Sequence, residues 1–167
     1  MKNTLVDSYT PLIKERASGY QFDYFTGYEN SSIIDMSFVK GYGHLLSTAE
    51  DLHLFDQALY GDKILSEESK KLLFDRKGQF GWEYVQFKYG KSNKEIECNQ
   101  YNGSINGFGS HIQRIAKDKV FICILRNLKE IGNQIVIKWP NFMASRIVSI
   151  LYDEEYEQPK KSAAYEV

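Results

Sequence analysis

The amino-acid sequence predicts an α+β domain: an antiparallel sheet of about four strands flanked by helices. Three observations predict it. Apolar residues recur at helical spacing before Gly78 and again near the C-terminus, whereas the stretch between them reads as successive strands. The last two strand-like stretches are separated only by the polar pair Lys117-Asp118, which fits an antiparallel hairpin. A chain of 167 residues with 43% hydrophobic and 26% charged residues is enough for one domain with a single core.

Residues 19–28 are crowded with aromatics (Tyr20, Phe22, Tyr24, Phe25, Tyr28) in partial alternation, which predicts extended, half-buried chain with the rings used in packing. A helix should start at Ser47-Thr48-Ala49-Glu50, where a hydroxyl and a glutamate three residues on can cap each other's orphan amides. Ala49, Leu52, Phe55, Ala58 and Leu59 then follow at helical spacing, and Gly61 offers a left-handed stop. Ser66 is the expected N-cap of a second helix, with Glu67 and Glu68 at its positive end and Leu72 and Leu73 on its buried side. Strands are expected from Trp82 to Tyr89, Glu95 to Tyr101, Gly109 to Ala116 and Lys119 to Arg126. Because Val120 to Leu125 is apolar on both faces, that strand is predicted to be central, with helices on both sides. A closing helix would bury Met143, Ile147, Ile150 and Leu151, with Pro140 in its first turn. The domain is expected over residues 1–152, with 153–167 a polar tail or the start of a linker.

A formal net charge of −1 argues against nucleic acid as a partner. The longest apolar run, Val120 to Leu125, is far short of the roughly 20 residues of a membrane-spanning helix, and the N-terminus has no apolar core of a signal peptide. Cys98 and Cys123 lack C-x-x-C spacing and read as ordinary thiols, while His44, His53 and His111 have no spacing that suggests a metal. No cofactor is expected. Glu50 and Asp51 read as helix N-terminal charges rather than general acids.

The most informative stretch runs from Gln100 to Ser110, where Gly103, Gly107 and Gly109 bracket small polar residues at the mouth of a strand. Glycine there suits a tight turn, or close approach of another backbone or a ligand. Several blocks around it resemble the C-terminal half of the penicillin-binding-protein and class C β-lactamase family of serine hydrolases. Met1-Lys2-Asn3-Thr4 is similar to the family's "GMKNT", and Ala17-Ser18-Gly19-Tyr20 to the "A-x-GY" that follows it. The stretch from Gly41 to Leu52 resembles "G-x-G-x-x-x-STAEDL". Tyr101 to Ser110 falls where the family has its third active-site motif, K-T-G or H-x-G, on an edge strand.

The resemblance implies part of a β-lactamase/transpeptidase-like fold and acyl transfer on peptidoglycan peptides, β-lactams or simpler esters and amides, in a bacterial parent protein at the outer face of the cytoplasmic membrane or secreted. It implies that the Ser104 backbone N–H is an oxyanion donor and that Asn102 and Gly103, with Asn106 beside them, line the strand against which substrate lies. Tyr101 stands where the family has lysine or histidine; a phenol donates a hydrogen bond but supplies no fixed positive charge for a substrate carboxylate. The family's serine and lysine of S-x-x-K and its Y-x-N belong ahead of these blocks. A chain with 14 serines and 16 lysines should contain about one S-x-x-K by chance. Ser37-Phe38-Val39-Lys40 and Tyr28-Glu29-Asn30 are accordingly read as coincidences, with Gly41 and Gly43 leaving no helix for Ser37 and Lys40 to share. The chain alone is expected to be inactive, and its unpaired sheet edge to be closed by a second copy or by the missing N-terminal half of the same domain. The alternative is a non-catalytic peptide- or ligand-binding module derived from this family.

Overall fold

A computed structural model describes residues 1–8, 10–23, 25–41, 43–77, 80–130 and 144–156. Among the described residues the fold is α+β with three sheets, and all strand pairs but one are antiparallel. Strands β1 (Leu5–Val6) and β4 (Leu45–Leu46) form a short pair. Strands β2 (Tyr20–Asp23) and β3 (Gly27–Asn30) form a hairpin, and β9 (Leu128–Glu130) adds to β2 in parallel. The main sheet has the order β5 (Glu83–Tyr89), β6 (Lys94–Ile105), β7 (Phe108–Ile115), β8 (Val120–Arg126). Helices α1 (Ala49–Ala58) and α2 (Glu67–Leu73) precede it, and residues 144–151 form α3.

The four expected strands are present, but β8 ends the sheet order and is not central; β6 and β7 are the inner strands. The buried strand β7 carries His111, Gln113 and Arg114, a polar set that disguises it in the sequence. Each has one polar atom in a hydrogen bond. His111 Nδ1 bonds Asn102 Oδ1 at 2.7 Å, Gln113 Nε2 donates to Cys98 Sγ at 3.0 Å, and Arg114 Nε donates to Asp56 Oδ1 at 2.7 Å.

The period-two alternation of β7 sends these residues to two different layers. On one face Ile115 joins Tyr89, Cys98 and Ile122 in a core closed by Val148 of α3. Ser149 of α3 accepts a hydrogen bond from the Gly90 N–H at 2.9 Å, which ties the β5–β6 turn to that helix. The buried residues of α3 are Ala144, Val148 and Ser149, with Ile147 packed beside them; Ile150 and Leu151 are exposed, contrary to expectation, and Met143 and Pro140 lie outside the described residues. The opposite face of the sheet meets α1, where the Arg114 guanidinium bonds Asp56 and stacks on the rings of Tyr60 and Phe74.

Helix α1 is capped one residue later than expected. Thr48 is the N-cap and accepts from the Asp51 N–H at 3.2 Å. Asp51 does not reach back to its own cap. Its carboxylate accepts the N–H groups of Lys2 (3.2 Å) and Asn3 (2.8 Å) and the Thr4 hydroxyl (2.8 Å). Burial pushes the Asp51 carboxyl up, but the Thr4, Asn3 and Lys2 donors outweigh it and hold the group below its ordinary pKa. The helix ends without a left-handed glycine: Leu59 donates back to Phe55 and Asp56 carbonyls, and Gly61 has no positive φ. Ser66 caps α2 as expected, by accepting from the Ser69 N–H, but Leu72 is 54% exposed and α2 buries no residue. Of the aromatics near residue 20, Phe22 and Tyr28 pack edge to face at 5.1 Å, Phe25 is exposed, and Tyr24 lies outside the described residues.

Asp56 and Arg114 side chains are 1% and 4% exposed, so removing one partner strands a buried charge. Asp56→Ala should lower stability by about 3–5 kcal/mol in urea unfolding. Lys88→Ala, which breaks the exposed Lys88–Glu95 pair, should leave the midpoint nearly unchanged.

Candidate functional site

The sequence-predicted site residues Tyr101, Asn102, Gly103, Ser104 and Asn106 fall together at the end of the β6–β7 hairpin. The hairpin is closed by the pair Ile105↔Phe108 across a two-residue loop, Asn106-Gly107, with Gly107 at φ +73°. Strand β6 is longer than its other neighbour. The last β5 pair is Glu83↔Gln100, so residues 101–105 run beyond β5 with β7 on one side only. Among the described residues no strand pairs with that stretch on its other side.

The register decides which groups face the open side. In a two-residue hairpin the closing pair exchanges its hydrogen bonds, and along an antiparallel ladder the bonded pairs alternate. Ile105, Gly103 and Tyr101 therefore bond β7, whereas Ser104 and Asn102 direct their N–H and C=O groups to the open edge. Side chains alternate as well: Asn102 and Ser104 lie on the face that carries His111, and Tyr101 lies on the opposite face, half exposed. Ser104 and Tyr101 thus present their side chains to different sides of the sheet. What Ser104 brings to the edge is its main chain.

The glycines make the tip possible. A Cβ on Gly107 would stand 2.6 Å from Gly19 Cα and 2.7 Å from Ser31 Cβ, so the loop rests directly on the backbone between Ser18 and β2. That backbone is itself held, since Asn127 Nδ2 donates to Ser18 O at 3.0 Å and the Tyr20 N–H donates to Asn127 O at 2.9 Å. At Gly103 a Cβ would come within 2.5 Å of Ser110 Oγ. Both options for the glycine-rich stretch, a tight turn and close backbone approach, are realised here.

His111 is the residue that sequence reasoning passed over. It is 1% exposed and sits directly across from Asn102, with Nδ1 2.7 Å from Asn102 Oδ1 and a buried Nε2 that has no hydrogen-bond partner. An amide oxygen only accepts, so Nδ1 is the donor in this bond, and the Gln113 side chain also acts on the ring. Burial holds the imidazole pKa below its usual value. The signal was available: a two-residue loop at Asn106-Gly107 places residue 111 opposite residue 102.

The other candidates lie apart from this edge. Ser37 belongs to a three-residue 3-10 turn, Met36–Phe38, with its N–H bonded to Asp35 Oδ1 at 3.0 Å; the turn is closed at Val39, so Lys40 lies beyond it. Tyr28 and Asn30 are on β3. His44 Nδ1 accepts from the Gly41 N–H at 3.3 Å, and His53 leans on the Phe121 ring. Cys98 and Cys123 are free thiols, both with the pKa pushed up by burial. Among the described residues no group of three or more His, Cys, Asp or Glu side chains could hold a metal ion, and no helix is long and apolar enough to cross a membrane. In comparisons with known proteins, no family model and no curated protein matches this sequence.

Gly107→Ala should destabilise by more than Gly27→Ala in the same unfolding assay. Both impose a left-handed conformation on a side chain, worth about 1–2 kcal/mol, but Gly27 has open space around its Cβ position. His111 makes a separate prediction. Its folded-state pKa lies below the unfolded value, so the unfolded chain binds more protons; its contribution is intact above about pH 6.5 and is lost as pH falls from there toward the folded value. Unfolding midpoints between pH 7 and pH 5 should fall in the wild type and fall less in His111→Asn.

Proposed function

We propose that this chain is the wall of a substrate-binding site in a serine hydrolase resembling penicillin-binding proteins and class C β-lactamases. In this reading an extended peptide-like substrate lies along residues 101–105 of β6. The observation that carries it is the open edge at Asn102 and Ser104, where unpaired main-chain donors and acceptors can add a strand-like ligand. The Ser104 N–H supplies one oxyanion donor, a role independent of side-chain identity. Tyr101 contributes a hydroxyl at the mouth of the edge in place of a cation, which favours ligands bound by hydrogen bonds over ligands held by a fixed positive charge.

Two further features support the reading. The blocks Met1–Thr4 and Ser47–Leu52, both of which resemble the family, are joined by Asp51 and by a 2.8 Å bond between Thr4 Oγ1 and Ser47 Oγ. Their residue types thus have a common physical reason. An antiparallel sheet with helices on both faces also accords with a β-lactamase/transpeptidase-like domain. The nucleophile and its base are then supplied by residues outside these 167, and the almost fully exposed Leu12, Phe25 and Phe38 are apolar surface for further chain to cover.

A second reading keeps the edge and drops the chemistry: a binding module for extended peptides. Ser37 and Lys40, which share no helix, fit this reading and the first alike. In both readings the purified chain does not turn over nitrocefin or a p-nitrophenyl ester, and no side chain is acylated by penicillin in mass spectrometry. Turnover that disappears in Ser37→Ala would overturn both. An S-x-x-K encoded about one small domain upstream favours the hydrolase, and an independent start at Met1 favours the module.

A further inference from the structure

We infer that His111 is a positioning residue for the β6 edge: by donating from Nδ1 to Asn102 Oδ1 it fixes the Asn102 carboxamide, leaving its NH2 group as a donor to a carbonyl or carboxylate oxygen of the bound segment. The inference rests on the reading of residues 101–105 as a binding edge. Its geometry is on the cross-strand pair Asn102↔His111, with the 2.7 Å bond joining a buried imidazole to an exposed amide.

Packing alone does not call for a histidine at this position. The same sheet face buries Cys98, Ile115 and Ile122 under α3, with Val85 partly buried beside them, and a leucine at 111 would extend that apolar layer. An imidazole there costs desolvation, a cost offset only in part by the bond to Asn102 and the neighbouring Gln113 side chain. The next cross-strand pair, Gln100↔Gln113, is also buried, so a polar band runs inward from the open edge. Buried polar bands of this kind fix one arrangement of side chains. Here the arrangement places the Asn102 oxygen on His111. The planarity of the amide then turns its nitrogen, with two N–H donors, away from the histidine. Without that bond an exposed asparagine is free to turn its amide over.

Long-range proton–nitrogen NMR of the wild-type chain at pH 7 tests the pairing directly. A protonated Nδ1 and a bare Nε2 on His111 are expected; a proton on Nε2 would overturn the inference. Binding tests its consequence, with an acetylated D-Ala-D-Ala peptide as probe, read by the amide shifts of Asn102 and Ser104. His111→Leu and Asn102→Ala should each weaken the probe about tenfold. His111→Asn, whose Nδ2 stands near the place of the lost Nδ1, should bind within a factor of about three of wild type. A folded His111→Leu variant that binds as wild type, while Asn102→Ala does not, would overturn the positioning role. If His111→Leu fails to fold, the tautomer and the His111→Asn variant decide. If the wild type shows the expected tautomer but no shift at Asn102 and Ser104, the edge reading fails and the consequence drawn here fails with it. An Nε2 proton with the probe still bound sinks only the role of His111.

Discussion

The ion pair between Arg114 and Asp56 is the constraint on which the rest of the fold leans. It joins the C-terminal end of β7 to the last turn of α1 with both charges out of water, and the guanidinium is enclosed further by the rings of Tyr60 and Phe74. Such a pair adds little net stability compared with a well-packed apolar contact, but it tolerates no alternative, because any shift of helix over strand leaves a charge unpaired in the interior. Fixing α1 against Arg114 fixes which face of β7 meets the helix. A one-residue slip of that strand would turn His111 and Gln113 toward α1 and Arg114 into the Val148 layer. The position of Asn102 across from His111, three residues along the same strand from Arg114, follows from that choice.

From β7 the constraint passes to β6, and there the two sides of the strand differ. Residues 94–98 pair with β5 alone and residues 99 and 100 with both neighbours, while residues 101–105 depend on β7 and on the support of the loop by Gly19. The overhang is therefore a rigid edge held from behind. Open main-chain edges are usually short, charged or covered, because they recruit strands without discrimination. This one is short, and its outward-facing residues Asn102 and Ser104 are small and polar, which suits a site that takes a single extended segment.

Much of the main sheet was legible in the sequence because strand alternation and turn signals coincide there: Asn106-Gly107 and Lys117-Asp118 mark both hairpin ends. What was hidden was hidden by long-range pairing. Strand β6 was expected to end at Tyr101 because Asn102, Gly103 and Ser104 look like loop, yet β7 carries them as strand. The centre of the sheet was misplaced because β8 is the most apolar strand, whereas the buried β7 hides its polar residues in bonds to Asn102, Cys98 and Asp56. Local capping rules gave Asp51 a role within its own helix, and its actual partners, Lys2, Asn3 and Thr4, are nearly 50 residues away. The glycine-rich candidate site was visible as composition; its second half, His111, required the hairpin register.

The account stands on the claim that Asn102 and Ser104 present their main chain to an unpaired side. Residue-resolved amide hydrogen exchange across β6 measures this most directly. Slow exchange at Tyr101, Gly103 and Ile105, alternating with fast exchange at Asn102 and Ser104, is the predicted result. Equal protection at all five amides would mean that another strand already occupies the edge, and would contradict it.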